Sequence, residues 1–138
     1  MKPCRILAID YGARNVGLAS SDEMGVTVQP LESIPNPGVR KLLVCLRRIV
    51  EEGRIDSLIV GLPLNMDGSS GEPARQAERF MERLRETFAL PVIPVDERLS
   101  SVEAAQLWRK MSPRRKRKYR TADSVAAALI LQRHLEGQ

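Results

Sequence analysis

An unbroken apolar run at residues 57–63, SLIVGLP, places the strongest constraint on how this chain can fold. Such a run is typical of a β-strand that is buried on both faces. A strand of this kind needs packed layers on both sides of its sheet, so we expect helices packed against a sheet. A chain of 138 residues is the size of one domain, which we place at residues 1–138.

The segments before this run have the short apolar pattern and turn residues of β-strands. The connections between them are tight, which predicts an antiparallel meander. Pro30 lies within the third segment and indicates an edge strand or a bulge, because proline cannot donate a backbone hydrogen bond. The predicted strands are 5–10, 16–21 and 26–34.

The later segments alternate between helical spacing and short apolar runs. Ser100 and Glu103 form a capping box that opens a helix, and Gly137 lies just past the end of the last one. The element order β-β-β-α-β-α-β-α-α predicts an α/β fold with a mixed five-stranded sheet flanked by helices, in which βαβ crossovers follow the meander. The remaining predicted elements are helices at 39–50, 73–88, from 100 and 121–134, and strands at 57–63 and 91–95.

Basic residues are concentrated at positions 109–120, which we call the basic segment. The chain carries a formal charge of +5, but outside this segment it has 14 basic and 17 acidic residues, a balance of −3. Concentrated positive charge attracts polyanions, so we expect a nucleic-acid partner, with an anionic membrane surface second and a solvated loop as the plain alternative. The segment contains Arg109, Lys110, Arg114, Arg115, Lys116, Arg117, Lys118 and Arg120.

Several kinds of chemistry are excluded by what the sequence lacks. Cys4 and Cys45 fit no metal-binding or redox spacing, and His134 is the single histidine. Hydrolysis would therefore have to depend on carboxylates. We see no signal peptide and no apolar run long enough to span a membrane, so we expect a cytoplasmic protein.

Three acids stand apart from the others by their position. Asp10 ends the first strand and Glu97 follows the strand at 91–95, and we expect both of these strands to be buried. Asp123 lies in the first turn of the last helix beside several alanines. Small alanines would let that helix approach the sheet, and the three carboxylates would then converge and repel one another. A divalent cation resolves such repulsion, and oxygen ligands favour Mg²⁺ or Mn²⁺. We therefore predict that these acids are catalytic residues and metal ligands; a favourable contact with the helix dipole is the alternative for Asp123.

Four stretches of the sequence resemble the YqgF family of RNase H-like, RuvC-related proteins. They are IDYGARNVGLASSD, GLPLNMDGSSGEPARQ, PVDERLSSVEA and ADSVAAALILQ after the basic segment. Proteins of this family are described as Holliday junction resolvases or as pre-16S rRNA processing nucleases. The resemblance implies an RNase H-like fold, a bacterial cytoplasmic protein, and catalytic acids at Asp10, Glu97 and Asp123.

Two departures from RuvC-type resolvases favour an RNA substrate over branched DNA. Those enzymes carry an essential glutamate at the end of the fourth strand, where this chain reads GLPLN. They also act as dimers, and no apolar dimer face is evident here, which leaves a monomer or a weak homodimer. A nucleic-acid binding protein without turnover is a further alternative. DYGARNVG also resembles the phosphate loop of sugar kinases, but those enzymes close two large domains around ATP.

Further residues are candidates for contacts with nucleic acid. Arg14 and Arg98 follow strands and could bind phosphate, and Arg98 could equally pair with Asp96. Asn65 begins a polar loop that either contacts the sugar-phosphate backbone or simply connects two elements. Trp108 and Tyr119 bracket the core of the basic segment, where aromatics can stack on unpaired bases, although Trp108 is better explained by helix packing.

Overall fold

The computed structural model describes residues 4–97, 100–119 and 121–137. The described residues form five strands and five helices; their order is the predicted one, except that the short helix Pro113–Tyr119 is additional. The elements are β1 Ile6–Tyr11, β2 Asn15–Ser21, β3 Val28–Pro35, α1 Val39–Glu52, β4 Ser57–Leu62, α2 Glu72–Thr87, β5 Val92–Asp96, α3 Ser100–Lys110, α4 Pro113–Tyr119 and α5 Ala122–Glu136.

The strands form one sheet in the order β3-β2-β1-β4-β5. β1 pairs antiparallel with β2 and parallel with β4, and β5 pairs parallel with β4. The mixed sheet, its meander and its central β1 confirm the predicted fold. Pro30 lies in edge strand β3, and the β2–β3 pairing also contains the irregularity that proline suggested.

Two apolar layers cover the sheet because successive side chains of each strand point to opposite faces. Leu7 and Ile9 of β1 pack with α1 and α2 on one face. Ile6 and Ala8 pack on the other face against α5, whose Ala127 is fully buried. β1 is therefore buried on both sides up to its last residues. β4 is buried on both faces as predicted.

Two expectations about individual elements were wrong. The strand preceding Glu97 was predicted to be buried, but β5 is an edge strand in which Ile93 is 38% exposed. The basic segment was not assigned a helix, yet much of it forms α4. The Arg115 N–H donates to Ser112 Oγ at 3.2 Å, so Ser112 caps a helix that has Pro113 in its first turn.

No helix among the described residues is long and apolar enough to cross a membrane.

Candidate active site

Asp10 lies near the end of the central strand β1, and a glycine lies beside it on each of the two neighbouring strands. It pairs with Gly17 of β2, and Gly61 of β4 comes level with it because Ile9 pairs with Val60. The alternation along β1 puts the Asp10 side chain on the α5 face. The two glycines leave the space on both sides of that carboxylate free of other sheet side chains.

Glu97 fills the space above Gly61. Its backbone N–H donates to Leu62 O at 3.1 Å, which fixes it directly after β5. The side chain is 4% exposed and lies so close to the sheet that a Cβ on Gly61 would be 2.6 Å from Glu97 Oε2. Glu97 is therefore a buried acid held over the sheet and not a surface residue.

Asp123 approaches from the other side, above Gly17. Thr121 caps α5 by accepting the Ser124 N–H at 3.1 Å, and the buried Ser124 hydroxyl donates to Leu31 O of β3. These bonds hold the first turn of α5 so tightly on the sheet that a Cβ on Gly17 would collide with the Asp123 carbonyl. This close approach of the alanine-rich helix is the one that the sequence predicted.

Asp10 interacts electrostatically with both of the other acids. Burial and the negative charge of Asp123 raise the pKa of Asp10 from 3.8 to about 6, and a hydrogen bond with Glu97 partly offsets the rise. Burial, the charge of Asp10 and the same hydrogen bond raise the pKa of Glu97 from 4.5 to about 9. At neutral pH the pair therefore shares one proton, which resides mainly on Glu97.

The donor chemistry of this pair fits a divalent cation. Glu97 Oε2 is buried and has no hydrogen-bond partner among the described residues. A buried carboxylate oxygen is costly unless it meets a proton or a cation. Within residues 4–97, 100–119 and 121–137, no three His, Cys, Asp or Glu side chains are grouped tightly enough to ligate one ion. Mg²⁺ is commonly held by one or two carboxylates plus water and substrate phosphate, so two acids suffice.

Arg133 of α5 is a site residue that the sequence reading missed. It donates to Asp96 O at 2.9 Å and to Glu103 Oε1 at 3.3 Å, and its positive charge opposes the rise in the pKa of Glu97. Arg133 therefore ties β5, α3 and α5 together next to the buried pair. Nothing in its spacing along the sequence distinguishes it from a solvated helix residue.

The basic segment lies next to Asp123. Helix α4 contacts β3 and α5, and it ends shortly before the Thr121 cap. Arg114, Arg115 and Arg117 are exposed on α4, whereas Lys116 is half-buried with its Nζ 5.2 Å from the centre of the Trp108 ring. Trp108 packs on Ala104 and Val125, in agreement with its predicted packing role.

Other predicted contacts are distributed around the same edge of the sheet. Arg14 is exposed in the β1–β2 loop, and its carbonyl accepts the Asn36 N–H. Asn65 donates to Ser69 Oγ at 3.0 Å, so its loop is an ordered turn and not a loose connector. Arg98 and the side chains of Ser100, Lys118 and Tyr119 lie outside the described residues.

Gly17 and Gly61 are the other positions that the sequence reading missed. Each is an isolated glycine inside an otherwise apolar strand, which is a recognised signal of a close backbone approach. The signal was present in both VGL triplets of the sequence, at 16–18 and 60–62.

Replacing Gly61 with alanine should destabilise the protein, because the added methyl group would crowd the candidate active site. The new Cβ would lie 2.6 Å from both Glu97 Oε2 and Ile130 Cδ1, so the buried acid and α5 must both move. We expect Gly61→Ala to lower the free energy of unfolding by about 2–3 kcal/mol, as overpacking does. Urea denaturation measures this loss. Gly71→Ala, whose Cβ would meet only the Asn65 side chain at 3.3 Å, should cost under about 1 kcal/mol; equal losses would contradict the crowding at Gly61.

The mixed five-stranded sheet, with one acid at its centre and two brought beside it, defines an RNase H-like fold of the resolvase type. The fold resembles that of the fowlpox virus Holliday junction resolvase, with a TM-score of 0.60 over 97% of this chain and 99% of that one, at 14% identity. It also resembles Thermus thermophilus RuvC in complex with a Holliday junction substrate, with a TM-score of 0.54 over 92% of this chain and 91% of that one, at 13% identity.

Residues 4–137 match the RuvX family, which is described as Holliday junction resolvase. A Koribacter versatilis relative is 40% identical over 132 residues, covering 96% of this chain and 86% of its own length. A Geobacillus kaustophilus relative is 39% identical over 140 residues, covering 97% and 99%. Both bear the name "Putative pre-16S rRNA nuclease". The chain belongs to the RuvX family of nucleases, which confirms the YqgF resemblance.

Proposed function

We propose that this protein is a Mg²⁺- or Mn²⁺-dependent endonuclease that hydrolyses phosphodiester bonds during 5′-end processing of pre-16S ribosomal RNA in the cytoplasm. The observation that carries the proposal is the pairing of the half-buried Asp10 with the buried Glu97, because a divalent cation can replace their shared proton and bind the unpartnered Glu97 oxygen. The names of the relatives support an RNA precursor as substrate.

Each acid would have a distinct task in this enzyme. Asp10 and Glu97 would hold the ion, and Asp123 would complete the negative charge that attracts it, since its charge already acts on Asp10. A bound divalent ion lowers the pKa of water and neutralises charge on the scissile phosphate. Arg133 would keep the β5 end in place while Glu97 gives up its proton.

The exposed cations of α4 would hold the RNA beside these acids. Since α4 contacts α5, and Arg115 of α4 and Val125 of α5 line one small cavity, a strand bound along α4 would lie close to Asp123. Phosphate contacts of this kind give affinity without sequence preference. The site thereby combines a binding surface with a cleavage centre.

A Holliday junction resolvase is the second candidate. The family description favours it, and the fold is shared with two structures of Holliday junction resolvases. A two-fold junction would require two copies of this chain with their acids suitably spaced.

The test is a cleavage panel with Mn²⁺ present. Its substrates are a precursor of 16S rRNA, an unrelated single-stranded RNA and a four-way DNA junction. We expect cleavage of the precursor at its 5′ end and little cutting of the junction. Junction cleavage with an intact precursor would favour the second candidate, and no cleavage of any substrate would favour a binding protein without turnover.

Neutralising the exposed arginines of α4 should change the salt dependence of RNA binding. With Arg114, Arg115 and Arg117 changed to Gln, the slope of log K against log salt should fall by about 2, because each lost phosphate contact on a single strand removes about 0.7. Fluorescence anisotropy over a salt series measures the slope. Changing the exposed Arg47, Arg48 and Arg54, at and just after the C-terminal end of α1, to Gln removes the same charge at a distance from both proposed binding surfaces and serves as control. An equal fall in both variants would show that only net charge matters.

A further inference from the structure

A cleft of about 680 Å³ opens on the face of the sheet opposite the acids. It lies between the start of α1 and the middle of α2, and its volume is in the range of small-ligand sites. Tyr11 lines it and directly follows Asp10 in β1, so the two side chains leave the sheet on opposite faces at the same edge. The cleft and the candidate active site therefore lie at the same end of β1, on opposite faces of the sheet.

The floor of the cleft is aromatic and rigid. Tyr11 stacks on Phe80 with ring centroids 4.2 Å apart and an angle of 15° between the planes. Phe80 is buried, whereas Tyr11 is half-buried and lines the opening. An immobilised aromatic side chain at the edge of a nuclease site is suited to stacking on an unpaired base.

The wall contributed by α2 is cationic. Gln76, Arg79, Phe80 and Arg83 follow the spacing i, i+3, i+4, i+7, so they share one face of the helix, and all four line the cleft. Arg79 pairs with Glu72 at 3.0 Å and Arg83 with Glu86 at 4.0 Å, both on the exposed surface. Exposed ion pairs of this kind are weak, so either arginine can exchange its carboxylate for a phosphate.

The opposite wall is already ordered without a ligand. Asn36 donates from Nδ2 to Gly12 O at 2.8 Å and accepts the Gly38 N–H at 3.0 Å, which joins the β1–β2 loop to the start of α1. A preformed wall lowers the conformational cost of binding. The cleft thus has an aromatic floor, a wall whose arginines can bind phosphate, and an opposite wall held by hydrogen bonds.

We propose that this cleft binds an unpaired nucleotide of the substrate strand, with the base on Tyr11 and a phosphate at Arg79 and Arg83. The inference rests on the proposed nuclease function and extends it. The basic segment lies on the α5 face of the sheet and the cleft on the α1–α2 face. A nucleic-acid strand that is held by both therefore passes over the end of β1, where Asp10 lies. The enzyme would then grip single-stranded nucleic acid on both sides of the scissile bond.

The test measures binding of fluorescein-labelled single-stranded RNA in EDTA, where no cleavage occurs. Arg79→Ala should weaken binding by about tenfold or more, as loss of a charged hydrogen bond does. Arg75→Ala is the matched control, because Arg75 is on the same helix and pairs with the same Glu72 at 3.4 Å but does not line the cleft. Its affinity should stay within twofold of the wild type.

Equal affinities for the Arg79→Ala and Arg75→Ala proteins would overturn the proposal. Adenosine monophosphate is the second probe, and we expect it to compete with RNA more weakly in the Arg79→Ala protein than in the wild type. Equal competition in these two proteins would place the nucleotide outside the cleft and would also overturn the proposal. Cleavage by the wild type in Mn²⁺ is scored separately, so a protein that binds RNA through Arg79 but cuts nothing would contradict the nuclease and leave the cleft supported.

Discussion

The Asp10→Asn protein should bind RNA like the wild type and lose metal-dependent cleavage by on the order of a thousandfold. The amide keeps the size of the side chain but removes the charge that a divalent ion needs. It also relieves the repulsion from Asp123, which contributes to the raised pKa of Asp10, so folding should not suffer. Cleavage rates with Mn²⁺, anisotropy in EDTA and thermal unfolding measure the three quantities.

Asp56→Asn is the matched control for this experiment. Asp56 lies at the opposite end of β4 and accepts the Arg5 N–H at 2.8 Å, a bond that an Asn oxygen can also accept. Its cleavage rate should stay within about twofold of the wild type. Undiminished cleavage by the Asp10→Asn protein would remove Asp10 from the mechanism.

The Glu97→Gln protein should be inactive and, at alkaline pH, more stable than the wild type. Glu97 releases its proton near pH 4.5 in the unfolded chain but near pH 9 in the folded one. Between these values the folded state binds more protons, so the stability of the metal-free wild type falls as the pH rises. Glutamine carries no proton to lose, and its amide can still donate to Asp10.

The expected stability difference depends on pH in a defined way. In EDTA the Tm of the Glu97→Gln protein should be close to that of the wild type at pH 5 and exceed it by on the order of 10 °C at pH 8.5, because the proton linkage across this range amounts to about 4 kcal/mol. Glu78→Gln, a change at an exposed residue of α2, should give no such trend. A Tm difference that is constant across this pH range would show that Glu97 does not hold a proton in the folded protein.

The sheet could be predicted because its signals are local. The double-sided burial of β4 follows from one apolar run, and Pro30 alone indicated the edge position of β3. The positions of Asp10 and Asp123 were also predictable, since strand ends and alanine-rich helix starts are visible in a single sequence. These features depend on residues that are close together along the chain.

The burial of Glu97 and the role of Arg133 could not be predicted in the same way. Both depend on how β5 and α5 pack over Gly61, and that packing joins residues more than 30 positions apart. Helix α4 was missed for a different reason. Its run of like charges is typical of a solvated loop, which argued against a helix. Ser112 and Pro113 are a local signal for the start of a helix and could have predicted α4.

Anomalous diffraction from crystals soaked in Mn²⁺ tests the central claim most directly. The Asp10–Glu97 pair, with Asp123 beside it, is predicted to give one strong peak about 2.1 Å from a carboxylate oxygen of Asp10 and of Glu97. The peak should be absent from crystals of the Glu97→Gln protein. A wild-type crystal at saturating Mn²⁺ with no peak between these two side chains would contradict the account.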